Sequence, residues 1–275
     1  MVKGENTAVL TCMDCNFEHN LINDFLKTLR DIACYRGKIV ILDYGMSKEA
    51  IDRVKNEYGA LVIKCSKDRH IFSVRFRDMA GIIDSLPTDI THVMSIDGGD
   101  VWFQASIDEV FELCADGIGY IEDYHLDNSW WNRKILNLLR PEEMVKLRKN
   151  LRGTRQKNAG MICGPRSIMS TVADVIGKYV LNNGMDFFGL DQLYFNYIIN
   201  NMSPDQKVVL PKKYNYVLID NRRKLIIKDN LIYDENHEMV AVVHNAGGGS
   251  QRIIKKENPK SIDESQYKRV IQIYK

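Results

Sequence analysis

The chain lacks any run of about 18 apolar residues, so no segment reads as a membrane-spanning helix. Its opening, Met1-Val2-Lys3-Gly4-Glu5-Asn6-Thr7, lacks the apolar core of a signal sequence. Charge of one sign is missing too: 38 basic residues against 36 acidic leave a net +2, too little for a field that recruits nucleic acid. Even the lysines near the C-terminus are balanced by Glu257, Asp263 and Glu264. These absences predict a cytoplasmic protein, at most peripheral to the inner face of a membrane, with no nucleic-acid partner. No G-x-G-x-x-G follows the first strand, which argues against a dinucleotide-binding Rossmann domain, and no G-x-x-x-x-G-K-[ST] marks a P-loop enzyme. Only Cys12 and Cys15 form a C-x-x-C; Cys34, Cys65, Cys114 and Cys163 are scattered singly, so no second pair completes a zinc site. The length of the chain and the neighbours Asp14 and Asn16 suit a redox pair poorly, and this stretch reads as a loop after the first strand.

What is present is a 275-residue chain with 45% hydrophobic content, enough to bury a substantial core. Strand and helix signals alternate. Residues 8–11 read as a strand. Residues 18–32 read as an amphipathic helix carrying Leu21, Ile22, Phe25, Leu26 and Leu29 on one face. The run 38–42 ends in Asp43 like a buried parallel strand, and Ser47 can cap a helix over 48–58. A strand at 60–63, a helix over 71–85 stopped by Pro87, and a strand into Asp97 follow. This order indicates an α/β fold with a mostly parallel central sheet, whose ligands sit beyond the carboxyl ends of the strands. Further on come helices over 106–113, 141–149, 167–181 and 190–200 and strands at 117–121 and 158–164. Short late strands are expected at 207–210, 225–228 and 239–243, and residues 152–157 read as a basic loop.

The most informative stretch is Asp97-Gly98-Gly99-Asp100, set between Val93 and Ile96 on one side and Val101, Trp102 and Phe103 on the other. Two carboxylates beside bare backbone suit a hard divalent cation that keeps positions free for phosphate oxygens. A plain turn would also use Asp and Gly, but it predicts polar flanks.

Together with four other elements, this stretch resembles the nucleotide-diphospho-sugar transferases of GT-A fold, over roughly residues 7–248. Residues 39–47 resemble that fold's second strand and nucleotide-side turn. Asp97 to Gln104 resembles a variant of the D-x-D motif, with two residues between the acids where one is usual. Asn158-Ala159-Gly160 with Gly164 resembles the strand shaping the sugar pocket. Asp191-Gln192 with Phe195-Asn196 resembles the acidic helix start facing the donor sugar, and Val243-His244-Asn245 the late histidine ligand. The resemblance implies one GT-A-like domain over residues 1–250, with a nucleotide-binding half (about 1–115) and a sugar and acceptor half (about 116–250) that includes a smaller antiparallel part. A basic tail, 251–275, follows.

The resemblance further implies Mn²⁺ or Mg²⁺ held by Asp97, Asp100 and His244, with Asp100 the principal ligand and Asp97 touching ribose or reaching the metal through water. The donor is a nucleoside-diphosphate sugar, UDP-sugar favoured over GDP-sugar, and the acceptor a glycan, lipid-linked sugar or small molecule. Thr11, Asp43, Arg75, Asp97, Asn158, Gly160 and Gln192 would contact the donor. Arg75, Arg77, Arg155 and Lys157 are phosphate-donor candidates, the last two on a loop that would close over the donor. Asp191 is the candidate catalytic carboxylate, a general base if the enzyme inverts and a group positioning the sugar if it retains. Each has a plainer alternative: a helix-start aspartate for Asp191, a turn residue for Asp43, a packed imidazole for His244. His92 reads as a satisfied strand residue. Trp130 and Trp131 could stack on an acceptor sugar or simply anchor the following helix, and the nearby Tyr120, Asp123 and Tyr124 could help build the acceptor pocket. Two rival functions remain: a sugar-phosphate nucleotidyltransferase, which would want a basic Gly-rich loop where residues 11–17 offer none, and a non-catalytic nucleotide-sugar-binding protein of the same fold. The oligomeric state is left open.

Overall fold

Alternation along the first strand shows how the core is built. In β1 (Thr7–Met13), Ala8 and Leu10 face one layer of helices while Val9 and Met13 face the other, the period-two pattern of a sheet covered on both sides. β2 (Lys38–Asp43), β3 (Leu61–Lys64) and β4 (His92–Ile96) complete a parallel set. The computed structural model describes residues 2, 4–126, 130–218 and 225–246. Within these the strands continue as β5 (Val101–Phe103), β6 (Ile118–His125), β7 (Arg155–Pro165), β8 (Lys207–Val209), β9 (Tyr216–Val217), β10 (Ile226–Lys228), β11 (Leu231–Tyr233) and β12 (Val242–His244).

The main sheet has seven strands in the order β3-β2-β1-β4-β7-β6-β8. β7 runs antiparallel to both β4 and β6, so the expected α/β sheet is mostly parallel with one reversed strand. The strand order turns back at β1, between β2 and β4. That switch point opens a crevice at the carboxyl ends of β1 and β4, where open α/β sheets bind ligands. Helices Ile71–Ser85, Arg166–Asn183 and Leu190–Asn201 cover one face. Each fully buried aliphatic side chain in these layers contributes roughly 1.5–3 kcal/mol.

Several expected elements shift. The helix predicted over 18–32 is α-helical at Glu18–Asn20 and Lys27–Asp31, with π-helical Leu21–Leu26 between, and its five apolar residues all remain buried. Ser47 caps the next helix as expected, its Oγ accepting from the Ala50 N–H at 3.1 Å. The basic stretch 152–157 is only partly a loop. Arg155 and Lys157 belong to β7, paired with β6 at His125 and Glu122, so a closing loop built on them is not what forms. Glu122 explains this: its carboxylate lies 3.7 Å from Arg155 and 3.9 Å from Lys157, and Lys157 Nζ also donates to the Arg155 carbonyl at 2.9 Å.

A second sheet, β5-β12-β9, was only partly foreseen, since β5 and β9 gave no strand signal. β12 runs antiparallel to β5, setting His244 opposite Val101 and Val243 opposite Trp102, and parallel to β9. Gln104, just after β5, fastens this sheet to the β10–β11 hairpin. Its amide donates to the carbonyls of Ile232 (3.0 Å) and Val240 (2.7 Å) and accepts from the Ile232 N–H (3.0 Å), all buried. Gln104→Ala should therefore cost about 2–3 kcal/mol by stranding these backbone groups. Urea unfolding would measure that loss. Among the described residues, no helix is long and apolar enough to cross a membrane.

Candidate functional site

The turn 97–100 leaves β4 at the switch point and is held from several sides. The Asp97 N–H donates to the Gly160 carbonyl of β7 at 2.9 Å, and the Asn245 N–H donates to the Asp100 carbonyl at 2.8 Å. The two glycines are demanded by packing: a Cβ at Gly98 would sit 2.5 Å from Thr11 Oγ1, and one at Gly99 3.0 Å from the Phe17 ring. The bare backbone facing the carboxylates comes instead from Gly160. A Cβ there would lie 2.6 Å from His244 Cε1 and 2.9 Å from Asp97 Oδ2.

His244 arrives from β12, which the β5 pairing sets beside the turn. Its Nε2 is 3.5 Å from Asp100 Oδ1 and 3.8 Å from Asp97 Oδ2, and one ligand atom from each of the three residues falls within a 4.8 Å group. Adjacent oxygen ligands of an octahedral Mg²⁺ are roughly 3 Å apart, because each stands about 2.1 Å from the ion. Two carboxylates and an imidazole at this spacing therefore fit a divalent cation after a small contraction. The imidazole is buried, while the acids keep 30% (Asp97) and 17% (Asp100) of their side-chain surface open to incoming ligands.

Beside the cluster, Arg75 bridges two acids. Its Nη1 donates to Asp97 Oδ1 at 2.7 Å, and its Nε and Nη2 lie 2.7 and 2.6 Å from Asp191 Oδ2. Burial alone would lower the Arg75 pKa, yet the carboxylates of Asp191 and Asp97 hold it above its ordinary value. Burial raises the Asp191 carboxyl above the usual carboxylate range, with Arg75 pulling the other way. Asp191 Oδ1 accepts from the Gln192 N–H at 2.8 Å, so both oxygens already carry partners. Gln192 itself grips β7: its Oε1 accepts from the Ala159 N–H at 2.8 Å and its Nε2 donates to the Lys157 carbonyl. Asn158 sits beside Gly160, its Oδ1 accepting from the Gly160 N–H at 2.8 Å.

The structure thus gathers Asp97, Asp100, His244, Arg75, Asp191, Asn158 and Gly160 in one place. Thr11 borders the turn, with a buried Oγ1 that has no hydrogen-bond partner among the described residues. Asp43 closes its own turn, Oδ1 accepting from the N–H groups of Gly45 (2.8 Å) and Met46 (2.7 Å). Arg77 is drawn away into ion pairs with Asp68 and Asp78 (2.9 and 2.6 Å). Lys157 spends its ammonium on β7 and Glu122, and burial lowers its pKa. His92 is satisfied, 2.9 Å from Thr91 Oγ1 and 3.1 Å from the Ala115 carbonyl. Burial pushes the Cys12 thiol far above its ordinary pKa, which opposes a thiolate role. The side chains of Tyr124, Trp130 and Trp131 and the tail 251–275 lie outside the described residues.

Sequence reasoning missed two neighbours of the site, Asp14 and Asn215. Asp14 sits in the loop after β1, pairs with Lys67 at 3.0 Å and accepts from the Asn16 N–H. Although burial works against it, the Lys67 hydrogen bond holds its carboxyl below the usual range. Its position just past the end of β1 was signal enough, but the flanking cysteines drew the reading elsewhere. Asn215 carries no local signal and reaches the site through its place just before β9, while Asp123, expected on the acceptor side, accepts from Asn158 Nδ2 at 3.1 Å. Gly160→Ala should drive a methyl group into His244 and Asp97. It should weaken Mn²⁺ binding at least about tenfold while costing the fold only about 1–3 kcal/mol, measurable by metal titration calorimetry alongside urea unfolding.

No protein-family model matches the chain, and no curated protein matches its sequence. Solved structures match its fold. The galactosyltransferase LgtC in complex with donor and acceptor sugar analogs is similar with a TM-score of 0.60 at 12% identity, over 97% of this chain and 95% of that one. An active-site mutant of LgtC gives 0.59 at 13% identity over the same shares, 97% and 95%. The seven-stranded sheet with its small companion sheet matches a GT-A-like fold.

Proposed function

We propose that this chain is a metal-dependent glycosyltransferase, moving a sugar from a nucleoside-diphosphate donor to a glycan, lipid-linked or small-molecule acceptor. One observation carries the reading: Asp97, Asp100 and His244 converge at the switch-point mouth of a GT-A-like sheet. The likeness to a galactosyltransferase captured with donor and acceptor sugar analogs supports the same pair of substrates. Asp97, Asp100 and His244 would hold Mn²⁺ or Mg²⁺, which supplies a Lewis acid for the charge that builds on the leaving diphosphate.

The remaining chemistry belongs to the chain. Arg75, fixed between Asp97 and Asp191, joins the metal end of the site to the sugar end and cannot swing without breaking two charge-assisted contacts. Asp191 is a poor general base in this arrangement, because Arg75 and the Gln192 N–H occupy its oxygens. It suits a positioning role, receiving a sugar hydroxyl at the rim of the Arg75 pair. Asn158 and Gly160 line the floor beneath the anomeric end. Thr11, Phe17 and Asp14 border the nucleoside end of the crevice, with UDP the first candidate and GDP the second.

The test is a thermal-shift screen of nucleoside diphosphates and nucleotide sugars with and without Mn²⁺, followed by assay of donor hydrolysis. A nucleotide that stabilises the chain only with metal, together with slow metal-dependent donor cleavage, is the expected result. Binding without cleavage would mark a non-catalytic nucleotide-sugar-binding protein. No metal-linked shift with any nucleotide would remove the proposal.

A further inference from the structure

Four buried side chains run in line toward the metal cluster: Asp123 on β6, Asn158 on β7, Asn215 just before β9, and His244 on β12. Asn158 Nδ2 lies 3.1 Å from Asp123 Oδ2, Asn215 Nδ2 lies 3.3 Å from Asn158 Oδ1, and Asn215 Oδ1 lies 2.9 Å from His244 Nδ1. The direction of each bond is fixed from the far end. The Gly160 backbone N–H can only donate, and it meets Asn158 Oδ1 at 2.8 Å, so that atom is the amide oxygen. Asn158 Nδ2 then donates to the Asp123 carboxylate. The Asn158 oxygen can only accept, so Asn215 presents its NH₂ there and its own oxygen to His244. An amide oxygen accepts, which puts the imidazole proton on Nδ1 and leaves the Nε2 lone pair facing Asp97 and Asp100.

We infer that Asn215 is a positioning residue that holds His244 in its metal-binding tautomer, with Asn158 and Asp123 orienting Asn215 in turn. The inference rests on the metal-dependent reading above. Without Asn215, the buried Nδ1 loses its acceptor, and the proton is free to move to Nε2, where it would donate to Asp100 and close the metal's position. Partners behind a ligating histidine typically account for 10–100-fold in metal affinity. Asn215 has no charge and its side chain bonds Asn158 and His244, so its effect travels through the imidazole.

Two measurements on the full chain test this. The first is long-range ¹H–¹⁵N correlation spectroscopy of histidine-labelled, metal-free protein at alkaline pH, where imidazole is neutral. His244, assigned by its loss in His244→Gln, should show the Nδ1–H pattern, and an Nε2–H pattern overturns the inference. The second is Mn²⁺ binding without nucleotide, followed by the electron paramagnetic resonance of free Mn²⁺. Asn215→Leu should bind about 10–100-fold more weakly, while Asn215→Asp, which keeps an acceptor for Nδ1–H but sets a second acceptor against Asn158 Oδ1, should fall between Asn215→Leu and the parent. Equal affinity in the parent and a folded Asn215→Leu overturns the inference, as does equal weakening in both variants. A parent that has the Nδ1–H pattern but binds no Mn²⁺ would instead bring down the metal-dependent reading, and the inference with it.

Discussion

Asp100→Ala should remove the manganese-dependent part of nucleotide stabilisation and lower sugar transfer on the order of a thousandfold, while the fold survives. Asp100 supplies one of three groups converging on the cation position, and the acid on its other side, Asp97, already shares a carboxylate oxygen with Arg75. Removing Asp100 leaves His244 and a half-committed Asp97, too few strong ligands to compete with water for a hard cation. Stabilising the leaving diphosphate is worth several kcal/mol, which sets the thousandfold scale. The turn keeps its anchor in this variant, because the main-chain carbonyl of Asp100 accepts the Asn245 N–H at 2.8 Å. Asp100→Asn should behave like the alanine variant, since an amide keeps the shape but not the charge. Scanning fluorimetry with UDP or GDP, with and without Mn²⁺, reads the binding half, and product release from a labelled donor reads the other. A metal-linked shift that persists in Asp100→Ala would place the cation elsewhere.

How much of this was legible beforehand depended on the range of each interaction. β1, β2 and β4 announced themselves because strands buried on both faces read as continuous apolar runs ending in polar residues. Asp97 and Asp100 stood out because acids between Ile96 and Val101 have no packing reason to be there. The reason for their glycines was misjudged: Gly98 and Gly99 fit against Thr11 and Phe17, contacts between segments far apart in sequence. β5 and β9 hold three and two residues, too few for periodicity to register, yet their pairing with β12 sets His244 in the site. Resemblance had to supply that histidine. Lys157 misled for a different reason: its charge suggested solvent, but a long aliphatic stem and the nearby Glu122 allow burial at a strand. Asn215 had no signal, since an amide acquires meaning only from what the fold sets against it.

Arg75→Met should be the most destabilising single change at the site, costing about 3–5 kcal/mol at neutral pH. Asp191 has 2% of its side chain exposed and pairs with Arg75 at 2.6 Å, its one ion-pair partner among the described residues. Deleting the guanidinium leaves that carboxylate to be buried either charged and unpaired or protonated, and both states cost free energy. The pH dependence separates this from a simple packing loss. Burial already raises the Asp191 pKa in the native chain, and losing Arg75 raises it further. A carboxyl whose folded pKa lies above its unfolded value of 3.8 contributes its stability below that value and loses it as pH rises through the folded pKa. The deficit of Arg75→Met should therefore shrink toward acid and be greatest at neutral pH, whereas a cavity penalty would stay flat. Arg75→Lys should fall between, because an ammonium cannot span Asp97 and Asp191 as the fork does. The decisive variant is Arg75→Met combined with Asp191→Leu, which removes both charges. If the ion pair is the cause, urea unfolding should show the double variant recovering most of the lost stability while donor cleavage stays absent; a double variant as unstable as the two singles summed would assign the loss to packing instead.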